Sequence, residues 1–180
     1  MHWETCILAF SQINPWISLG KSGRIMNIRL KNTSVRLLFL QNNFFVYEDY
    51  ALVGTKGYTF EGPFYLDFRG RIVGWDEEKE ARARKLVKRE TARLRESFRQ
   101  AKEAGYEKYI MFLHYPPTSI LEETSPFTEI AEEYGVTAVV YSHCHGESRF
   151  GDSLRGEFHG VRYMLVSGDY LNFHPELVMK

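Results

Sequence analysis

Cysteine is scarce in this chain: Cys6 and Cys144 are the only two in 180 residues. A disulfide framework would need more, so a reducing, cytoplasmic setting is the simpler expectation. Net charge is missing too, because 23 basic side chains balance 23 acidic ones. The totals therefore give no push towards nucleic acid or a membrane surface, and neither is expected as a partner. No apolar run approaches the roughly 18 residues of a membrane span. The first twenty residues hold a short apolar patch, Cys6 to Phe10, but they lack a basic leader and carry Glu4, so no secretory signal is expected. Repeats and low-complexity tracts are absent. Aspartate is limited to Asp49, Asp67, Asp76, Asp152 and Asp169, a small stock for any metal chemistry that needs carboxylates.

The hydrophobic fraction is 44% and the charged fraction 26%, as in a globular domain. Aromatics at 15% suit a packed core. One domain spanning residues 1–180 is expected, with no linker. Residues 1–33 are irregular, with only Arg24 to Leu30 strand-like. Val35 to Leu40 reads as a strand, and Phe44 to Tyr47 with Ala51 to Thr55 as a hairpin. Gly54 to Tyr58 and Glu61 to Gly74 read as loops.

Asp76 to Ala104 is predicted as a long helix. Acidic residues crowd its first turns, where the macrodipole favours them. Ala83, Val87, Leu94, Phe98 and Ala101 form one apolar stripe, and Gly105 stops it. A strand follows over Tyr109 to Leu113. A shorter helix, Pro126 to Tyr134, is capped by Ser125. Val136 to Tyr141 is the next strand, and Gly160 to Ser167 and Phe173 to Met179 read as closing strands. Strand, helix, strand, helix, strand argues for an α/β domain with parallel pairing and right-handed crossovers.

Two of these strands end abruptly at histidines. His114 follows Met111-Phe112-Leu113, and His143 and His145 follow Val139-Val140-Tyr141-Ser142. In open α/β sheets, ligands bind beyond the carboxyl ends of the strands, and neutral imidazole is the commonest transition-metal ligand. His143 and His145 are two apart, which in an extended segment puts both on one face and Cys144 on the other. His114, His143 and His145 are therefore the candidate metal ligands. Taken singly, each histidine is an ordinary polar residue at a strand end. Their shared placement is what points to metal.

Residues around these histidines resemble the calcineurin-like metallophosphoesterase superfamily, which carries a lone histidine at a strand end and later a Gly-His-x-His segment. The matching stretches are Leu113-His114-Tyr115-Pro116-Pro117 and Ser142-His143-Cys144-His145-Gly146, with Ser142 where glycine is usual. Phe39-Leu40-Gln41-Asn42, Gly54-Thr55-Lys56-Gly57-Tyr58, Ser125-Pro126-Phe127-Thr128-Glu129 and Gly168-Asp169-Tyr170-Leu171 are similar to a bacterial phosphohydrolase branch. The resemblance runs from about Val35 to the end. It implies a sandwich of two β-sheets flanked by helices. It also implies two divalent ions (manganese, iron, zinc or nickel) that bind a phosphoester substrate and activate water. By the same analogy, His114 and His143 would serve one ion and His145 the other.

The family's carboxylate motifs, Asp-x-His, Gly-Asp-x-x-Asp and Gly-Asn-His-Asp/Glu, are all missing. Gly168-Asp169-Tyr170-Leu171-Asn172 lies after the histidine pair, in the wrong order, so no ligand role passes to Asp169. No general-acid histidine is matched, and the catalytic residues stay unassigned. Two divalent cations need carboxylates to be held close together. The expectation is a partial metallophosphoesterase-like domain, incomplete on its amino-terminal side, with residues 1–33 divergent or replaced. Such a chain would bind metal weakly, hydrolyse little or nothing, and self-associate through exposed apolar surface. The alternative is a non-catalytic α/β module that binds a metal or a partner.

Other signals are set aside. Gly20-Lys21-Ser22 lacks the glycine a phosphate loop needs five residues earlier, where Pro15 stands. Lys56 could meet a phosphate but fits a surface turn better. The basic residues of the long helix are interleaved with glutamates and read as a solvated face. Cys144 has poor zinc-site spacing, and His159 and His174 read as surface or core-edge residues.

Overall fold

The computed structural model describes residues 25–30, 33–38, 40–58, 77–118 and 124–179. The start of the chain through Arg24, the loop read over Glu61 to Gly74 and the helix residue Asp76 lie outside them. Strands β1 (Ile25–Leu30) and β2 (Thr33–Leu38) form a two-stranded antiparallel ladder. The main sheet is built from β3 (Phe44–Tyr47), β4 (Tyr50–Thr55), β5 (Lys108–Leu113), β6 (Ala138–Tyr141), β7 (Gly156–Phe158) and β8 (Val161–Leu165). Its order is β3-β4-β5-β6-β8-β7. The four inner strands β4, β5, β6 and β8 are mutually parallel, and the hairpins β3-β4 and β7-β8 supply antiparallel edges. Three helices join them: α1 (Glu77–Glu103), α2 (Pro126–Glu133) and the short α3 (Glu147–Gly151). The protein is thus an α/β fold with a six-stranded mixed sheet.

The inner strands are largely apolar because most of both faces is covered, although Arg162 of β8 is exposed. All four residues of β6 are buried. On one face, Ala51, Val53, Tyr109, Met111, Leu113, Val139, Tyr141 and Tyr163 pack with residues from α1 and α2. The predicted α1 stripe of Ala83, Val87, Leu94, Phe98 and Ala101 is buried throughout. Phe98 stacks on Tyr134 with centroids 4.1 Å apart and meets the edge of Tyr109 at 5.1 Å. The second face is smaller. Leu52, Ile110, Ala138 and Val140 form its buried centre, with Phe45, Phe112, Met164, Val178 and Met179 packed around them. Among the described residues, the exposed large hydrophobic side chains are Val46, Phe173 and Leu177. No described helix is long and apolar enough to cross a membrane.

One carboxylate lies in the core. Glu90 is 2% exposed and accepts from Arg89 Nε at 2.9 Å, from Arg93 Nη1 at 2.8 Å and from the Thr55 hydroxyl. Buried carboxylate oxygens need such partners to offset their desolvation. The network ties the middle of α1 to the carboxyl end of β4.

Helix and strand limits fall within a few residues of the sequence reading, the usual uncertainty of element ends. One expected element is overturned. Phe173 to Met179 is not a strand: the chain turns over 168–174 through Phe173 N–H to Gly168 O (2.7 Å) and His174 N–H to Leu171 O (3.0 Å). Asn172 and Phe173 both take positive φ there. Val178 and Met179 then lie on the second face instead of joining a ladder. The position beside β8 is taken by β7, which the sequence reading did not find.

Candidate functional site

β4, β5, β6 and β8 run parallel, so the segments that follow them all leave from one edge of the sheet. The turns there are tied to each other. The N–H groups of His114 and Tyr115 donate to the Lys56 carbonyl at 3.1 and 3.0 Å, which fastens the end of β5 to the end of β4. Pro116 and Pro117, both buried, have no N–H to continue the ladder. The Ser142 N–H and hydroxyl both donate to the His114 carbonyl at 3.3 Å, fastening β6 to β5.

His143 adopts φ +70°, in the left-handed region that histidine enters more readily than most residues. This conformation brings its Nδ1 to 3.2 Å from His114 Nε2. The extended course expected for 143–145 is therefore corrected. His143 joins His114, while His145 packs beside Asp169, with its Nδ1 2.9 Å from Asp169 Oδ1. Cys144 is wholly buried in the core between them, and burial raises its thiol pKa.

The site is electrostatically suited to lone-pair donation. Burial, followed by the charges of His114 and Arg149, pushes His143 down to about 4. Burial, Lys56 and His145 lower His114 as well. His145 adds in the same direction for both partners of the pair. Tyr115 covers the pair, its ring centroid 4.8 Å from that of His114 and 4.4 Å from that of His143. Lys56 Nζ lies 5.1 Å from the Tyr115 centroid. Clefts lined by Lys102, Tyr106 and Glu133 lie at the opposite edge of the sheet, far from this chemistry.

The fit to a metal can be judged from the donors. With metal–nitrogen bonds of about 2.0–2.1 Å, nitrogens 3.2 Å apart subtend about 100° at a shared ion, close to tetrahedral. His114 and His143 therefore fit as two ligands of one ion. The set stops there: among the described residues, no group of three or more His, Cys, Asp or Glu side chains is arranged to hold a metal. His145 is turned towards Asp169, and among the described residues no carboxylate bridges the pair.

Asp169 was not assigned a role from sequence. Its signal was positional: Gly168-Asp169 follows the buried strand β8 at the same edge as the histidine loops. No family model, curated protein or solved structure matches the chain.

Proposed function

We propose that the chain is a metallophosphoesterase-type domain in which His114, His143 and His145 hold divalent metal for a phosphoester. In this reading the six-stranded sheet is one layer of a two-sheet sandwich. The observation that carries it is the 3.2 Å approach of His143 Nδ1 to His114 Nε2 at the carboxyl edge of parallel strands. His114 and His143 would hold one ion through these nitrogens, and His145 would serve the second from its own loop. When bound, a divalent ion supplies Lewis acidity and a water of lowered pKa. The chain's own residues supply the setting. Burial favours the neutral form of both imidazoles. The Tyr115 ring shields one side of the pair from water. Lys56 brings positive charge to the edge where anionic phosphoryl oxygens would lie.

The same donor count limits the activity. The sequence lacks the family's carboxylate motifs, and the carboxylate beside His145 already accepts three hydrogen bonds. Weak metal binding and little or no hydrolysis follow. Among the described residues no group of three donors is arranged around the histidine pair, which also favours a second reading, a non-catalytic metal- or partner-binding module.

The test is calorimetric titration of the purified chain with Zn²⁺, Co²⁺ and Mn²⁺, followed by an aryl phosphate assay with each metal. Weak uptake is expected for the wild type, with at least a tenfold loss in His114→Ala and in His143→Ala. Uptake unchanged by both substitutions would remove the metal reading. Two tightly held ions and brisk turnover would remove the claim of weak activity. Uptake with no turnover would favour the module.

A further inference from the structure

The carboxylate of Asp169 collects three donors from two loops. Oδ1 lies 2.9 Å from His145 Nδ1 and accepts from the Tyr170 N–H at 3.1 Å. Oδ2 accepts from the Gly146 N–H at 2.9 Å. An exposed ion pair of two side chains is loosely held. Here two backbone amides fix the carboxylate, and Gly146, at φ +84°, directs its N–H as the chain turns away from His145. An ionised carboxylate accepts and does not donate. The proton of a neutral His145 must then sit on Nδ1, which leaves Nε2 with a free lone pair.

We propose that Asp169 is a positioning residue that fixes the ring and tautomer of His145, presenting Nε2 as a donor. Its use as a metal donor rests on the function proposed above; the setting of the tautomer does not. Metal-binding histidines commonly place their second nitrogen against a carboxylate in this way. A simple loop staple would need only the two amide bonds and would be indifferent to the tautomer.

The test is long-range ¹H–¹⁵N NMR of the imidazoles in the full, metal-free chain, well above the ordinary histidine pKa of about 6.5. The wild-type His145 should show a protonated Nδ1 and a bare Nε2. Asp169→Ala should move the ring towards Nε2–H, the form an unpartnered imidazole prefers. Asp169→Asn keeps an acceptor oxygen and should restore part of the wild-type tautomer. In Zn²⁺ titrations, Asp169→Ala should weaken binding about tenfold, with no further loss when combined with His145→Ala. A wild-type His145 carrying its proton on Nε2 would overturn the proposal, and this measurement stands even if the variants fail to fold. A tautomer unchanged in folded Asp169→Ala, or losses that add fully in the double variant, would overturn it too. A chain that shows the tautomer change but takes up no zinc keeps Asp169 as the positioning residue and removes the metal reading alone.

Discussion

His143 holds its Nδ1 3.2 Å from His114 Nε2, with the two rings inclined at 69°. One imidazole donates to the other across this contact, with the roles set by the tautomer, and burial disfavours the charged form of both.

Burial of the two imidazoles makes stability pH-dependent in the metal-free chain. The folded pKa of His143, about 4, lies below its ordinary value of 6.5. Below pH 6.5 the unfolded chain binds a proton that the folded chain refuses, so stability falls as pH drops towards 4. His114 acts in the same direction. Asp169 is also held low: burial raises it, but the Gly146 N–H and His145 outweigh that. Its contribution is lost only at lower pH, beneath the histidine window. Urea midpoints measured with a chelator from pH 7.5 to about 4 should fall steadily, and His143→Gln should flatten the slope. A midpoint that is level across this range would contradict the assignment.

Gly54 makes a second prediction. A Cβ on it would lie 2.5 Å from the backbone oxygen of Phe112 on the neighbouring strand. Backbone cannot swing aside as a side chain can, so β4 and β5 would have to separate. Gly54→Ala should cost about 1–3 kcal/mol or more, read as a drop in the thermal midpoint. Gly151→Ala, whose Cβ would meet nothing within 4 Å, is the control and should change stability by less than about 0.5 kcal/mol. Equal midpoints for the two variants would sink this account.

Ser125 links a helix cap to the histidine edge. Its hydroxyl accepts from the N–H groups of Phe127 and Thr128 and donates to the Pro117 carbonyl at 2.6 Å. Ser125→Ala should cost about 0.5–2 kcal/mol. It should also speed hydrogen exchange at the amides of His114, Tyr115 and Thr118, which flank the Pro117 carbonyl that this hydroxyl holds. Thr in its place keeps the oxygen and should recover most of both losses. If the cap variant loses stability while exchange at His114, Tyr115 and Thr118 is unchanged, the link between cap and edge is refuted.

The sequence disclosed the parts of the fold that repeat locally. The α1 stripe from Ala83 to Ala101, the Ser125 cap and the apolar runs of β5 and β6 each follow from short-range patterns, and they predict parallel strands delivering His114 and His143 to one edge. The parts that depend on contacts distant in sequence were hidden. The left-handed φ of His143 cannot be read from an apolar run ending in Ser-His, and that angle sends one imidazole to His114 and leaves its neighbour to Asp169. Asp169 itself lies 24 positions after His145 and shares no motif with it. The segment from Phe173 to Met179 has strand-like composition, yet the slot beside β8 goes to β7, which arrives by a tight turn at His159 and Gly160.

The order of the sheet has a kinetic consequence. His114, His143, Asp169 and the Lys56 carbonyl follow four different parallel strands, and each neighbouring pair of strands is separated by a long excursion of chain. Loop-closure entropy must be met before any of these groups feels another. No excised peptide around His143 would carry the cluster's properties. During refolding the depressed imidazole titration should emerge only with the last long-range strand pairing, later than helix formation in α1.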